Sequence, residues 1–147
     1  MKITKRDFIV ASLTVCLMMT GIFASSKTAV MESSIFDWND IEVKTTKTGA
    51  VRTVFRSQTA TLDEFECHIT TLNPEETSHP PHKHPEEEIL VVKEGTVEAL
   101  VNGQMKKVGP GSVIFQASNQ MHSIRNVGSV AATYHVFSWH SPGSLKK

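Results

Sequence analysis

His82 and His84 are separated by a single residue, and Glu88 stands four residues after the second of them. Side chains at i and i+2 on an extended chain share a face, so the two imidazoles can converge on one ion about 2.0–2.2 Å from each ring nitrogen. The alternation Glu88, Leu90, Val92 predicts a strand with those three side chains inward, which carries the carboxylate towards the same point. Glu86 shares that parity but sits next to Pro85, where the chain is still turning, so Glu86 and Glu87 read as solvated rim charges. A further histidine, His122, lies far downstream in the run from Gly111 to Asn126, with turn chemistry just before it. Three imidazoles and one carboxylate suit a six-coordinate Mn, Fe or Ni ion with two open positions, and Zn also fits.

In these two stretches the chain resembles the cupin superfamily. The first family motif, Gly-x5-His-x-His-x3,4-Glu-x6-Gly, is matched by His82, His84, Glu88 and Gly95. The second, Gly-x5-Pro-x-Gly-x2-His-x3-Asn, is matched by Gly111, His122 and Asn126. Glu76, Ala117 and Asn119 stand where the pattern has Gly, Pro and Gly. All three are turn positions, and Asn is the residue after Gly that best tolerates left-handed backbone, so the departures bear on loop shape rather than on the ligand set. The resemblance covers residues 60 to 140 and implies four metal ligands, His82, His84, Glu88 and His122, around one divalent transition metal. It also implies a small-molecule substrate or ligand and a homodimer made by pairing sheets. Cupins include dioxygenases, decarboxylases, isomerases and lyases, so a metal and a pocket are implied more strongly than a reaction. The expected function is a metal-dependent enzyme acting on a small oxygen-rich molecule, with a dioxygenase favoured. The alternative is a non-catalytic barrel that binds a sugar or other small ligand, its metal structural or a ligand anchor.

Short β-rich runs supply the elements that must position these residues: Val51 to Phe55, Phe65 to Thr71, Ile89 to Val92, Val97 to Val101, Val113 to Gln116, Ser123 to Asn126 and Thr133 to Trp139. Asn102-Gly103 predicts a tight type I′ hairpin, and Lys93-Glu94-Gly95, Val108-Gly109-Pro110-Gly111 and Val127-Gly128-Ser129 predict further reversals. Many short strands at this spacing, with no helical periodicity, predict an all-β domain, a single antiparallel β-barrel or jelly roll. An eight-stranded barrel is just wide enough to hold a small ligand at one mouth. Residues 59–142 form the expected barrel, residues 27–58 an N-terminal arm with the first strands, and residues 143–147 a tail. Phe36, Trp38 and Ile41 in the arm predict packing on the outside of the barrel or on a partner subunit.

The remaining candidates read more plainly. Phe65, Cys67 and Ile69 alternate and are expected to face the core, which puts His68 outward with Glu66. His79, before the prolines, is expected to be exposed. The last strand can present either His135, Phe137 and Trp139 or Tyr134, Val136 and Ser138 to the cavity, and alternation does not choose. Asn126 reads as a strand-end hydrogen-bonder and Arg125 as outward. Cys67 is the only cysteine after Cys16, so no disulfide forms within the mature chain, and a buried small hydrophobe is the expected role.

Composition bounds the partners. The chain has 147 residues, 39% of them hydrophobic, enough for one core. Fifteen basic and fifteen acidic side chains cancel, and no block of like charge predicts a nucleic-acid partner. Lys2, Lys5 and Arg6 precede an apolar run from Phe8 to Ala24, followed by Ser25 and Ser26. That order predicts a signal peptide over residues 1–26, with a twin-arginine-like start, and export to the periplasm or beyond. An uncleaved membrane anchor is the alternative.

Overall fold

Runs of alternating residues bounded by turn residues become strands in the computed structural model, which describes residues 30–143. The signal-peptide reading lies outside those residues, as do residues 27–29 of the arm and 144–147 of the tail. Nine strands follow one another: β1 (Lys44–Thr46), β2 (Gly49–Ser57), β3 (Glu64–Leu72), β4 (Glu87–Glu94), β5 (Val97–Val101), β6 (Gln104–Val108), β7 (Val113–Gln116), β8 (Ser123–Asn126) and β9 (Ala132–His140). Among the described residues there is no helix. Asn102 and Gly103 both take positive φ, 52° and 75°, as the type I′ turn between β5 and β6 requires.

The strands do not close into one barrel. They form two antiparallel sheets, one ordered β1-β2-β3-β9-β4-β7 and the other β6-β5-β8. No ladder joins the sheets among the described residues; two isolated bridges, Thr77 with Arg125 and His82 with His122, tie the long loop after β3 to the edge of β8. The core lies between the sheets, where Leu72, Leu90, Val92, Tyr134 and Val136 of the first pack against Val97, Ala99 and Ile124 of the second.

Register explains which side chains meet there. One inward row runs Ile114, Leu90, Val136, His68 across β7, β4, β9 and β3. The next row towards the sheet's end runs Gln116, Glu88, Ser138, Glu66 and reaches Arg56 on β2. The inward face therefore passes from apolar to polar within two rows, and the polar end is where a site can form. The last strand presents Tyr134, Val136 and Ser138 inward.

The phase of β3 is opposite to the sequence expectation. Cys67 and Ile69 are buried, but they pair with Phe137 and His135 on the outer face, while His68 and Thr70 look inward. Alternation identifies two faces without saying which is interior, and here both are covered. The outer face is overlaid by the arm, whose Phe36 packs on Phe55 in a tilted arrangement at 5.3 Å, with Phe55 edge-on to Phe65 at 5.1 Å. Trp38 carries the Lys93 ammonium 3.6 Å above its ring and the Arg52 guanidinium 4.4 Å away. Burial pushes the Cys67 thiol up to about 11, so it stays protonated and inert.

Gly95 ends β4 with φ +78°, and a Cβ placed there would stand 2.6 Å from the Ala132 Cα and 2.7 Å from the Ala131 carbonyl oxygen. Gly103 has a similar φ of +75° but open space around it. Gly103→Ala is therefore expected to cost about 1–2 kcal/mol from left-handed strain alone. Gly95→Ala adds a backbone collision and is expected to cost clearly more in urea unfolding of the full chain. Equal losses would show that β9 does not approach Gly95 this closely.

Candidate metal centre

His82 and His122 hydrogen-bond each other through the backbone in both directions, His82 N to His122 O at 3.0 Å and His122 N to His82 O at 2.9 Å. The pair is an isolated bridge rather than part of a long strand, so His82 and His84 reach the site from the loop before β4. Asn119 N donates to the His84 carbonyl at 2.8 Å, with Asn119 in the left-handed region at φ 58°. Asn126 is fully buried, donating to the carbonyls of Leu72 and Val130 at 3.0 and 2.8 Å and accepting from Gly128 N at 2.9 Å. It pins the end of β8 to the end of β3 and is no ligand.

These contacts bring ring nitrogens of His82, His84 and His122 within 4.8 Å of one another. Two ligands of one ion can be at most about 4.2 Å apart, so the cluster is close to coordinating distance. Glu88, inward on β4, places one carboxylate oxygen 3.4 Å from His84 Nε2 and the other 3.9 Å from His122 Nε2. The four residues named from the sequence thus lie in one cluster, three imidazoles with the carboxylate beside two of them. Arg125 points away and pairs with Glu75 at 2.6 Å.

The donor set fits an ion. His122 is 5% exposed, and its Nδ1 lies 2.8 Å from the Gln120 carbonyl. His82 Nδ1 likewise lies 3.0 Å from the Pro80 carbonyl. A carbonyl only accepts, so both rings carry their proton on Nδ1 and present a bare Nε2 lone pair. His122 Nε2 is buried with no hydrogen-bond partner. An orphaned lone pair facing two imidazoles and a carboxylate is what a cation would satisfy.

Glu86 is not a solvated rim charge. Its oxygens lie 2.8 Å from His140 Nε2 and 3.0 Å from His84 Nδ1, the second contact lying off the line of a good hydrogen bond. Burial works to raise this carboxyl, but its own backbone N–H and the two imidazoles outweigh it and hold it below the usual range. Turn chemistry at Pro85 gave no signal for this, because His140 comes from the far end of β9. His68, expected at the surface, lines the cavity beside the centre and is held by Glu66 at 3.0 Å. His79 is exposed as expected and sits edge-on to His82 at 5.3 Å.

Three imidazoles and a glutamate meet at the polar end of a two-sheet all-β domain, a donor set that could hold a metal ion. Residues 68–138 match the Cupin_2 family, described as a cupin domain, and this part of the chain is a cupin domain. Among solved structures, the Cupin_2 domain of an XRE family transcriptional regulator from Enterobacter cloacae is similar at 25% identity over 63% of this chain and 95% of that one, with a TM-score of 0.53. A predicted oxalate decarboxylase from Thermotoga maritima shares 20% identity over 73% of this chain and 99% of its own, TM-score 0.59. The polyketide cyclase RemF from Streptomyces resistomycificus shares 19% over 76% and 82%, TM-score 0.58. No curated protein sequence matches the chain.

Burial is the largest cause holding His122 and His135 below the ordinary imidazole range. For His122, the neighbouring His84 and His82 add to it, while the Gln120 carbonyl and Glu88 oppose it. A depressed imidazole means that the unfolded chain binds a proton the folded chain refuses, so stability is full above about 6.5 and falls as pH drops below that value. The urea midpoint of chelator-treated protein is expected to fall between about pH 7 and pH 5.5. An unchanged midpoint across that window would show these rings to be solvated.

Proposed function

We propose that this chain is a metal-dependent cupin enzyme that holds one divalent transition metal, Mn, Fe or Ni with Zn as a further fit, on His82, His84, His122 and Glu88. The observation that carries the reading is the buried, partnerless Nε2 of His122 facing the other donors. When bound, the ion supplies Lewis acidity and open positions for water, dioxygen or a substrate oxygen. The chain's own residues do the rest. The carbonyls of Pro80 and Gln120 lock the Nδ1 protons, Glu88 offsets positive charge, and Leu90, Val136 and Ile124 keep one side of the adjoining cavity apolar. A small oxygen-rich substrate suits that cavity, and dioxygenase chemistry is the favoured reaction because the donor set is a facial triad of two His and one carboxylate with one His added.

A second reading, a binding module with an ion that anchors a small ligand, is favoured by the likeness to the cupin domain of a transcriptional regulator. The proposal also includes export through residues 1–26 and a homodimer. The apolar outer face supports the dimer, since Phe115 and Val113 remain 51% and 64% exposed there.

Metal analysis of the purified protein, then oxygen uptake on a panel of catechol-like and carbonyl compounds, tests the reading. Stoichiometric metal with oxygen consumption is expected; a bound ion with no turnover on any compound supports the binding module instead. His84→Ala is expected to abolish metal binding while His79→Ala leaves it intact, and equal loss from both would mean that the ligands are misassigned. Glu86→Ala is expected to weaken metal affinity by less than about tenfold, because its contact with His84 Nδ1 is an ion-pair approach and not an aligned hydrogen bond. A larger loss from that substitution would mean that Glu86 orients the His84 ring.

A further inference from the structure

Gln116 ends β7 on the inward side, paired in register with Glu88, and is only 5% exposed. Its carboxamide oxygen is buried without a hydrogen-bond partner. Such an atom costs about 1–3 kcal/mol unless something completes it. Neighbouring polar groups on the same cavity are already engaged: the Tyr134 hydroxyl with Ser78 and Thr70, and His68 Nδ1 with Glu66. The His122 lone pair is answered by the ion of the preceding proposal. The Gln116 carboxamide is left facing the cavity beside the metal ligand Glu88.

We propose that Gln116 is the specificity-determining residue of this site, and that it accepts a hydrogen bond from the hydroxyl of a small α-hydroxy acid held at the metal centre. The inference rests on the metal-centre reading and names the ligand class for it. Size is the first argument. The cavity lined by Gln116, Glu88, His122 and His82 has about 70 Å³, room for a ligand of only a few non-hydrogen atoms.

Charge and hydrogen bonding supply the others. A divalent ion beside one ionised Glu88 leaves an excess positive charge that a ligand carboxylate neutralises. Four protein donors leave two positions on a six-coordinate ion, which a carboxylate oxygen and a neighbouring hydroxyl oxygen can fill together. That hydroxyl still carries a hydrogen, and among the residues lining this cavity Gln116 offers a buried carboxamide oxygen without a partner; a keto oxygen has no hydrogen to give. Leu90 and Val136 receive the carbon end. A glutamine here also avoids placing a second carboxylate opposite Glu88 across the ladder.

The test uses the full chain loaded with Co²⁺, with lactate as the probe and propionate as the analogue lacking the hydroxyl, each titrated by calorimetry and by the visible spectrum of the metal. Lactate is expected to bind more tightly than propionate. Gln116→Leu and Gln116→Met, the second the closer match in shape, are expected to weaken lactate by about tenfold, leave propionate within about twofold and leave Co²⁺ affinity unchanged. A lactate-to-propionate ratio that is the same in the unsubstituted protein and both variants overturns the proposal, as does loaded protein that ignores lactate. Loss of Co²⁺ affinity in both variants also overturns it, by making Gln116 part of the ion's own support. If the unsubstituted protein takes up no Co²⁺, the metal-centre reading itself falls and this proposal with it.

Discussion

Two backbone hydrogen bonds between His82 and His122 hold the site together. They join the loop after β3 to the start of β8, so that residues forty positions apart lie side by side with their rings 4.6 Å apart between centroids. Each ring is then turned by a carbonyl two residues before it, Pro80 for His82 and Gln120 for His122. The same small motif used twice produces two Nε2 lone pairs facing inward. Asn119 adds a third tie by donating to the His84 carbonyl from a left-handed turn. Without this stitching, the loop carrying the two motif histidines would have no ladder to fix it, since β4 begins only at Glu87.

Polar groups gather at one end of a sandwich whose middle is dry. Leu90, Val92, Tyr134 and Val136 make the interior rigid enough to hold Glu88 in place, one row from the apolar core. Burying the polar row is unfavourable unless each group has a partner. Glu66 holds His68 and pairs with Arg56, and Glu86 pairs with His140, so part of this polar end is satisfied within the chain. Among the buried atoms left without a partner, His122 Nε2 and the Gln116 carboxamide oxygen belong to residues that line the cavity, and they mark where something from outside would bind.

Local patterns predicted much of this. The seven predicted β-rich runs all lie in strands, the Asn102-Gly103 turn takes positive φ at both positions, and Asn119 adopts the left-handed geometry its place in the motif requires. The inward parity of Glu88 followed from Leu90 and Val92, because β4 has a buried face with strict alternation. β1 and β6 leave no mark in the sequence pattern, because their residues are almost all exposed and show no apolar alternation. The phase of β3 is not legible from alternation, because Cys67 and Ile69 are buried against the outer aromatic layer.

By itself, the sequence determined which residues can ligate, which turns bend and which segments extend, since these depend on side-chain chemistry and on neighbours within a few positions. The tertiary structure alone decided the faces of β3 and β9, the division of the strands into two sheets, the pairing of Glu86 with His140 and the burial of Gln116 beside Glu88. Each of those depends on contacts between strands distant along the chain. Strand pairing brings such residues together through backbone hydrogen bonds that are blind to side-chain type, and so they leave no trace in local spacing.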